Sequence, residues 1–215
     1  MLNKKKLVNI LCNARRILKL NLEGDFVECG IWKGGSVALM AHYLKSKEAN
    51  RNLHLFDAFD DICEPDAEVD GLRAIQEVGG KDNAQGRLQP VTGFYQRRGG
   101  SGQEKEVEDL ITSGVGYDPA LVHIHKGWFQ DTLPISSQKI KSIALLRLDG
   151  DWYASTKVCL EHLYDLVCPG GVIIVDDYRA YEGCQKAVDE FLENRKLNPA
   201  KHEVDGECVY WFKGE

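Results

Sequence analysis

The feature that most constrains the fold is a repeated pairing of a short apolar run with a helical pattern. Apolar runs typical of strands lie at residues 25–30, 52–59, 121–129, 142–151 and 170–177. Helical patterns follow three of them, at residues 36–47, 155–167 and 182–197. Nearly continuous apolar strands that alternate with helices are typical of a parallel sheet with helices on both faces. The sequence therefore predicts an α/β fold, closed by a hairpin over residues 201–214.

Two segments stand outside this alternation. Residues 4–20 carry apolar positions at three- and four-residue steps, which predicts an amphipathic N-terminal helix. Residues 60–120 show few strand signals and include the glycine-rich stretch RRGGSGQ, so we expect a lid, or an insertion with helices of its own. At 215 residues the chain is too short for two comfortable domains, and we predict one domain over residues 1–215.

Charge and composition narrow the function classes. The formal net charge is −6 and no basic block is longer than Lys4–Lys6, which argues against a nucleic-acid partner. No apolar run approaches the roughly 18–20 residues that cross a bilayer, and the lysine-led N-terminus lacks a signal-peptide cleavage site. The seven cysteines show no CxxC spacing, which favours reduced thiols. We expect a cytoplasmic protein with no membrane partner.

The first strand runs into a glycine-rich turn, VECGIWKGGS. Glycines such as Gly30 and Gly35 let a ligand approach the backbone, and the helix that starts near Ser36 offers free N–H groups. The glycine spacing matches neither the dinucleotide fingerprint GxGxxG nor the phosphate loop GxxxxGK[ST]. By itself, the turn is weak evidence for a binding site.

Asp57 strengthens that evidence because it ends the second strand. An acid at this point typically binds the two hydroxyls of a ribose, and the alternative is an ordinary turn or helix-cap aspartate. A nucleoside ligand without a phosphate loop fits S-adenosylmethionine. Glu28 fits the same ligand, because its carboxylate would attract the methionine ammonium and repel a phosphate.

Two adjacent aspartates, Asp176 and Asp177, follow the apolar run VIIV, and Asp149 ends the preceding strand. If these strands are neighbours, the three carboxylates converge at one edge of the ligand crevice. Oxygen ligands in that number suit a hard dication such as Mg²⁺. Asp151 is either a fourth acid nearby or the cap of a helix that begins at Ser155.

The third strand carries His123 and His125 on one side and ends near Trp128. Two such histidines can bind a metal, but satisfied polar residues under a covering helix are the more common case. Trp128 is placed to stack on an adenine, with packing at the rim of the crevice as the alternative.

Six stretches point to a known family: FVECGIWKGGS, LFDAFDDICEPD, VTGFY, HKGWFQDTLP, LRLDGDWYAST and PGGVIIVDDY. They run in order from residue 26 to residue 178, and the fourth and fifth are far more specific than a glycine turn. With them the chain resembles the macrocin O-methyltransferase family, whose members methylate sugar hydroxyls on antibiotics such as macrolides and aminocoumarins.

The resemblance implies a Rossmann-like class I methyltransferase sheet of seven strands with an antiparallel last strand, and it implies S-adenosylmethionine and Mg²⁺ as cofactors. It implies three metal ligands, Asp149, Asp176 and Asp177, with Asp149 also the base. It implies a set of cofactor-binding residues: Glu28, Gly30, Trp32, Gly35, Ser36, Asp57, Gly127, Trp128 and Asp149.

The predicted function is methyl transfer to a hydroxyl of a small molecule, a sugar or another compound with paired hydroxyls. The chain departs from the family in its short N-terminal region and in the RRGGSGQ stretch, so the acceptor and a possible homo-oligomer stay open. One alternative is a nicotinamide-dependent oxidoreductase, which the missing GxGxxG disfavours. Another is a non-catalytic S-adenosylmethionine-binding module, which predicts erosion of the aspartates, and all three are present.

Overall fold

The computed structural model describes residues 2–80 and 84–214. Its strands are β1 Asp25–Cys29, β2 Leu53–Asp57, β3 Val122–Lys126, β4 Ile143–Leu148, β5 Val167–Val175, β6 His202–Glu203 and β7 Val209–Phe212. They form a seven-stranded sheet in the order β3-β2-β1-β4-β5-β7-β6. Strands β1 to β5 pair in parallel, while β7 is antiparallel to both β5 and β6. The predicted sheet and its closing hairpin are confirmed.

The described helices connect the strands. They are α1 Lys4–Lys19, α2 Gly35–Ser46, α3 Gly71–Glu77, α4 Glu104–Asp109, α5 Phe129–Ser136, α6 Tyr153–Leu163 and α7 Glu182–Asn194. Helix α1 begins where the Asn3 side chain accepts a hydrogen bond from the Lys6 N–H, an N-cap that satisfies one free backbone donor. The predicted third strand, 121–129, ends early because Gly127 (φ +139°) turns the chain after Lys126.

Each face of the sheet carries its own hydrophobic core, because successive strand residues point to opposite sides. Phe26, Leu53 and Leu55 pack with α1 and α2 on one face. Val27, Phe56 and Leu146 pack with α5, α6 and α7 on the other. Strand β4, in the centre of the sheet, is buried at all six of its positions. The strand ends that carry the polar residues are therefore held by two cores.

The predicted insertion over residues 60–120 holds helices α3 and α4 and several short turns. Two isolated antiparallel bridges, Cys63 to Pro90 and Asp66 to Gln85, tie its first half together. The seven cysteines are all free, and five of them are buried. Across the two described ranges, no helix combines the length and the apolar character that crossing a membrane requires.

Candidate active site

A cavity opens beyond the carboxyl ends of strands β1 to β4. In open α/β sheets this edge is where ligands bind. Five of the nine predicted cofactor-binding residues line the cavity: Gly30, Asp57, Gly127, Trp128 and Asp149. The other four, Glu28, Trp32, Gly35 and Ser36, are not among the residues that line it.

Gly30 ends the first strand in a conformation that requires glycine. Its φ is +85°, and a Cβ at this position would overlap the backbone carbonyl oxygen of Asp149. The Gly30 N–H donates to the Phe56 carbonyl (2.8 Å), and the Asp149 N–H donates to the Cys29 carbonyl (2.8 Å). The glycine turn is thus packed directly against the end of β4, next to the predicted acids.

Asp57 braces the same turn. Its Oδ2 accepts hydrogen bonds from the N–H groups of Ile31 (2.8 Å) and Trp32 (2.9 Å), and its Oδ1 accepts one from Phe59 (2.7 Å). Burial raises the pKa of Asp57, and these three N–H donors oppose the rise. Asp57 therefore lines the cavity and also holds the backbone of the turn, as the turn alternative predicts.

Glu28 and Ser36 lie beneath the turn. The Glu28 side chain is fully buried, and its Oε1 accepts a hydrogen bond from the Ser36 hydroxyl (2.6 Å) and an ion pair from Arg147. Burial raises the pKa of Glu28 to about 7, against the pull of Arg147. In this arrangement the carboxylate faces a buried cation instead of the cavity.

Arg147 is the residue that sequence reasoning missed most completely. It sits in the middle of the sheet, fully buried, and its guanidinium contacts Glu28, Asp149 (2.9 Å) and Asp176 (2.5 Å). Lys6 of helix α1 reaches the same network and donates to Asp176 Oδ2 (2.6 Å). The sequence does carry a signal for it, the lone arginine in the apolar run IALLRL, because a buried arginine needs acidic partners. Nothing in the sequence indicated Lys6.

The acids at the strand ends form a tight group. One carboxylate oxygen from each of Asp149, Asp151 and Asp177 lies within 4.8 Å of the others. The Oδ2 atom of Asp177 is buried without a hydrogen-bond partner. Asp176, predicted as a ligand, directs its two oxygens to Arg147 and Lys6 instead. The structure therefore makes Asp151 one of the three acids of the group and gives it no capping role in helix α6.

The ionisation of this group is strongly uneven. Burial and the charge of Asp149 raise the pKa of Asp151 well above its usual range, and burial and the charge of Asp151 do the same for Asp177. Burial also works against the charged form of Asp149, but Arg147 and hydrogen bonds outweigh it and lower the pKa of Asp149. Carboxylates held this close repel one another, which favours a proton or a cation between them.

The tryptophan and the histidines predicted on the third strand lie in different places. Trp128 follows Gly127 at the end of β3 and lines the cavity. His123 and His125 stack with His54 on one face of the sheet, with ring centroids 4.7 Å and 5.5 Å from His54. His125 contacts the nitrogen of His54 (3.2 Å), and His123 contacts Asn52 (3.0 Å). The two histidines are satisfied polar residues, as the common case predicts.

The insertion supplies one more wall. Tyr95 lines the cavity, and its ring stacks on Trp32 with centroids 5.8 Å apart. The indole N–H of Trp32 donates to the carbonyl of Gly100 (3.1 Å). Trp32, a predicted cofactor-binding residue, thus supports Tyr95 from behind. Gly35, the first residue of α2, has open space around its Cα.

Comparison with known proteins agrees with this geometry. The family model described as macrocin O-methyltransferase matches residues 1–80 and 103–213. The predicted VTGFY stretch lies in the part that this model leaves unmatched. Demethyldecarbamoylnovobiocin O-methyltransferase of Streptomyces niveus is 34% identical, over 98% of this chain and 74% of the relative. Mycinamicin III 3''-O-methyltransferase of Micromonospora griseorubida is 28% identical, over 98% of this chain and 77% of the relative.

Solved structures show the same fold. The O-methyltransferase NovP superposes with a TM-score of 0.78 at 31% identity, over 98% of this chain and 80% of NovP. The calicheamicin methyltransferase CalS11, at 17% identity, superposes with a TM-score of 0.68 over all of this chain and 82% of CalS11. Similarity to methyltransferases rules out both alternatives, the nicotinamide-dependent oxidoreductase and the non-catalytic S-adenosylmethionine-binding module. The chain belongs to the macrocin O-methyltransferase family and is an S-adenosylmethionine-dependent O-methyltransferase.

Proposed function

We propose that this enzyme methylates a hydroxyl of a sugar on a natural product, with Mg²⁺ bound by the acids at the strand ends. The observation that carries the proposal is the convergence of Asp149, Asp151 and Asp177 beside the cavity that Gly30 and Asp57 line. A sugar acceptor agrees with a relative from Streptomyces olivaceus, 31% identical, whose name includes a dimethoxy-rhamnosyl tetracenomycin.

The acids fit a hard divalent cation. Three carboxylate oxygens lie within 4.8 Å of one another, and the buried Oδ2 of Asp177 has no partner of its own. Asp149 and Asp177 are common to the predicted ligand set and to this group, so they are the proposed core ligands. Asp151 completes the group, and Asp176 is paired with Arg147 and Lys6. When bound, Mg²⁺ would supply positive charge that holds two neighbouring acceptor oxygens and lowers a hydroxyl pKa.

Other residues of the chain bind the cofactor and orient the acids. The turn at Gly30, braced by Asp57, holds the methionine and ribose part of the cofactor, and Trp128 stacks on the adenine. Arg147 and Lys6 fix the orientation of Asp176, and Arg147 also holds Asp149. Fixed groups of this kind align the methyl carbon with the attacking oxygen, which contributes much of the rate in a displacement reaction.

One carboxylate must take the proton of the acceptor hydroxyl. Asp149 was predicted for this role, but Arg147 lowers its pKa and makes it a weak base. Asp151 lines the same cavity, and burial with the charge of Asp149 raises its pKa. A carboxylate with a raised pKa accepts a proton more readily than one with a lowered pKa, so we place Asp151 first as the base and Asp149 second.

The test combines methyl transfer with metal binding. The enzyme is incubated with labelled S-adenosylmethionine, Mg²⁺ and a panel of rhamnosides and catechols, with and without EDTA. We expect labelled rhamnoside and a loss of turnover in EDTA. Asp151→Asn should retain S-adenosylmethionine binding and lose about 10²–10⁴-fold in turnover, as a missing base does. Asp177→Asn should lose Mg²⁺ affinity. Full turnover in EDTA would contradict the proposed role of Mg²⁺. Labelling of catechols alone would contradict a sugar acceptor.

A further inference from the structure

The cavity has one wall that the family match does not include. Residues 84–102, called here the cover segment, are the described part of the stretch between the two matched ranges. The segment begins beside residues 62–67, where the Val91 N–H donates to the Ile62 carbonyl (2.8 Å) and the Glu64 N–H donates to the Gln89 carbonyl (3.1 Å). It then crosses to the glycine turn of the cofactor site.

Asp61 holds the middle of the cover segment over the cavity. Its carboxylate accepts hydrogen bonds from the N–H groups of Gly93 (2.6 Å) and Tyr95 (2.8 Å). Hydrogen bonds from backbone donors to an ionised carboxylate are among the stronger ones in proteins. They fix the backbone on both sides of Phe94 and so set where the Tyr95 ring lies.

The far end of the cover segment is attached to the cofactor turn. Lys33 donates to the Gly99 carbonyl (2.5 Å), and Trp32 donates to the Gly100 carbonyl (3.1 Å). Gly102 lies so close to the turn that a Cβ would overlap the carbonyl oxygen of Trp32. Trp32 itself has a φ of +47°, a left-handed conformation that costs free energy outside glycine. The turn and the segment therefore form one packed unit around the Tyr95 ring.

The cavity that Tyr95 faces is anionic. The described residues that line it include five aspartates, Asp57, Asp60, Asp61, Asp149 and Asp151, and no lysine or arginine. Burial and the charges of Asp151, Asp57 and Asp149 raise the pKa of the Tyr95 phenol, which keeps the ring neutral. An anionic pocket with an aromatic wall favours a cationic ligand over a neutral one of the same shape.

We propose that Tyr95 contacts the sulfonium of S-adenosylmethionine and makes the enzyme bind this cation more tightly than the neutral product, S-adenosylhomocysteine. The inference rests on the cofactor assignment in the proposed function. The sulfonium is bonded to the ribose, and its methyl group faces the acceptor. Tyr95 shares its cavity with the ribose acid Asp57 and with Asp149 and Asp151 at the acceptor end. The sulfonium loses its charge when the S–CH₃ bond breaks, so the contact weakens after transfer and favours product release.

The test measures two dissociation constants for each variant by calorimetry, one for S-adenosylmethionine and one for S-adenosylhomocysteine, in the full-length protein. Tyr95→Phe should keep the wild-type ratio because the ring remains. Tyr95→Leu should lower the preference for the cation about fivefold, which is the usual strength of a cation–π contact. Phe94→Leu is the matched control, since Phe94 packs edge-on against Tyr95 and is not part of the cavity lining. It should leave the ratio unchanged.

The outcomes separate this inference from the function on which it rests. Equal weakening of both ligands in Tyr95→Leu, or no weakening of either, would overturn the sulfonium contact while the cofactor assignment stands. A wild-type protein that binds neither ligand would overturn the cofactor assignment and the contact with it. A thermal melting curve for each variant shows that the fold is intact before the constants are compared.

Discussion

The strand ends and the cover segment build opposite walls of one cavity by different means. At the strand ends, parallel hydrogen-bond ladders and a buried charge network centred on Arg147 fix the acids. The cover segment is held by one aspartate outside it, Asp61, and by contacts to the glycine turn, and these fix Tyr95. The family model matches the first wall and leaves the second unmatched. The wall that the family model matches is held by sheet ladders and buried charges, whereas the wall that it leaves unmatched depends on a few local contacts.

The largest expected effect is on the strand-end wall. Arg147→Met should lower the free energy of unfolding by about 3–5 kcal/mol, because it leaves buried carboxylates without their cation. Urea denaturation measures the change. Arg179→Met is the matched control: Arg179 pairs with Glu203 on the surface, where loss of an ion pair costs about 1 kcal/mol or less. Equal losses in both variants would show that the buried network does not hold this wall.

A second effect tests the junction of the turn and the acids. Gly30→Ala should destabilise the protein by about 2–3 kcal/mol, because its φ is positive and its Cβ would meet the Asp149 carbonyl. Gly35→Ala has open space around it, so we expect its thermal unfolding to match the wild type. Similar melting temperatures for wild type and Gly30→Ala would contradict the close approach of the turn to β4.

A smaller effect belongs to the cover segment. Gly102→Ala should push the segment away from Trp32 and weaken S-adenosylhomocysteine binding about tenfold, or about 1.4 kcal/mol. The free energy of unfolding should change less, since the segment supplies no buried residue to either core and only Val91, Phe94 and Tyr95 pack against one of them. Ser101→Ala serves as the control in the same calorimetric titration. Unchanged affinity in Gly102→Ala would show that the cover segment does not contribute to cofactor binding.

The smallest effect is on the sheet edge away from both walls. Burial, with the neighbouring histidines His54 and His123, lowers the pKa of His125 to about 4. A lowered pKa means that His125 binds a proton less readily in the folded than in the unfolded protein. The free energy of unfolding is therefore highest above about pH 6.5 and falls as the pH drops toward 4. Unfolding free energies measured from pH 7 to pH 5 should fall less steeply in His125→Gln than in the wild type. The exposed His42→Gln should follow the wild type, and parallel curves for His125→Gln would contradict the burial effect.

The sequence predicted the sheet and the strand-end acids well because both leave local signals. Apolar runs indicate strands whatever surrounds them, and an acid after such a run marks a strand end, as Asp149 and Asp177 show. Contacts between distant segments leave no such signal. Lys6 reaches Asp176 across 170 residues of chain, and Tyr95 reaches Trp32 from a part of the insertion that is built of turns. The same limit explains why Glu28, predicted beside the cofactor, lies against Arg147.

The central claim is that the acids at the strand ends form a cation site, and titration of Mg²⁺ into the protein saturated with S-adenosylhomocysteine tests it most directly. The account predicts one Mg²⁺ per chain in the wild type and at least about tenfold weaker binding in Asp177→Asn. Asp165→Asn, which changes a surface acid paired with Arg195, should bind as the wild type does. A wild-type protein that binds no Mg²⁺, or an Asp177→Asn variant with unchanged affinity, would contradict the claim.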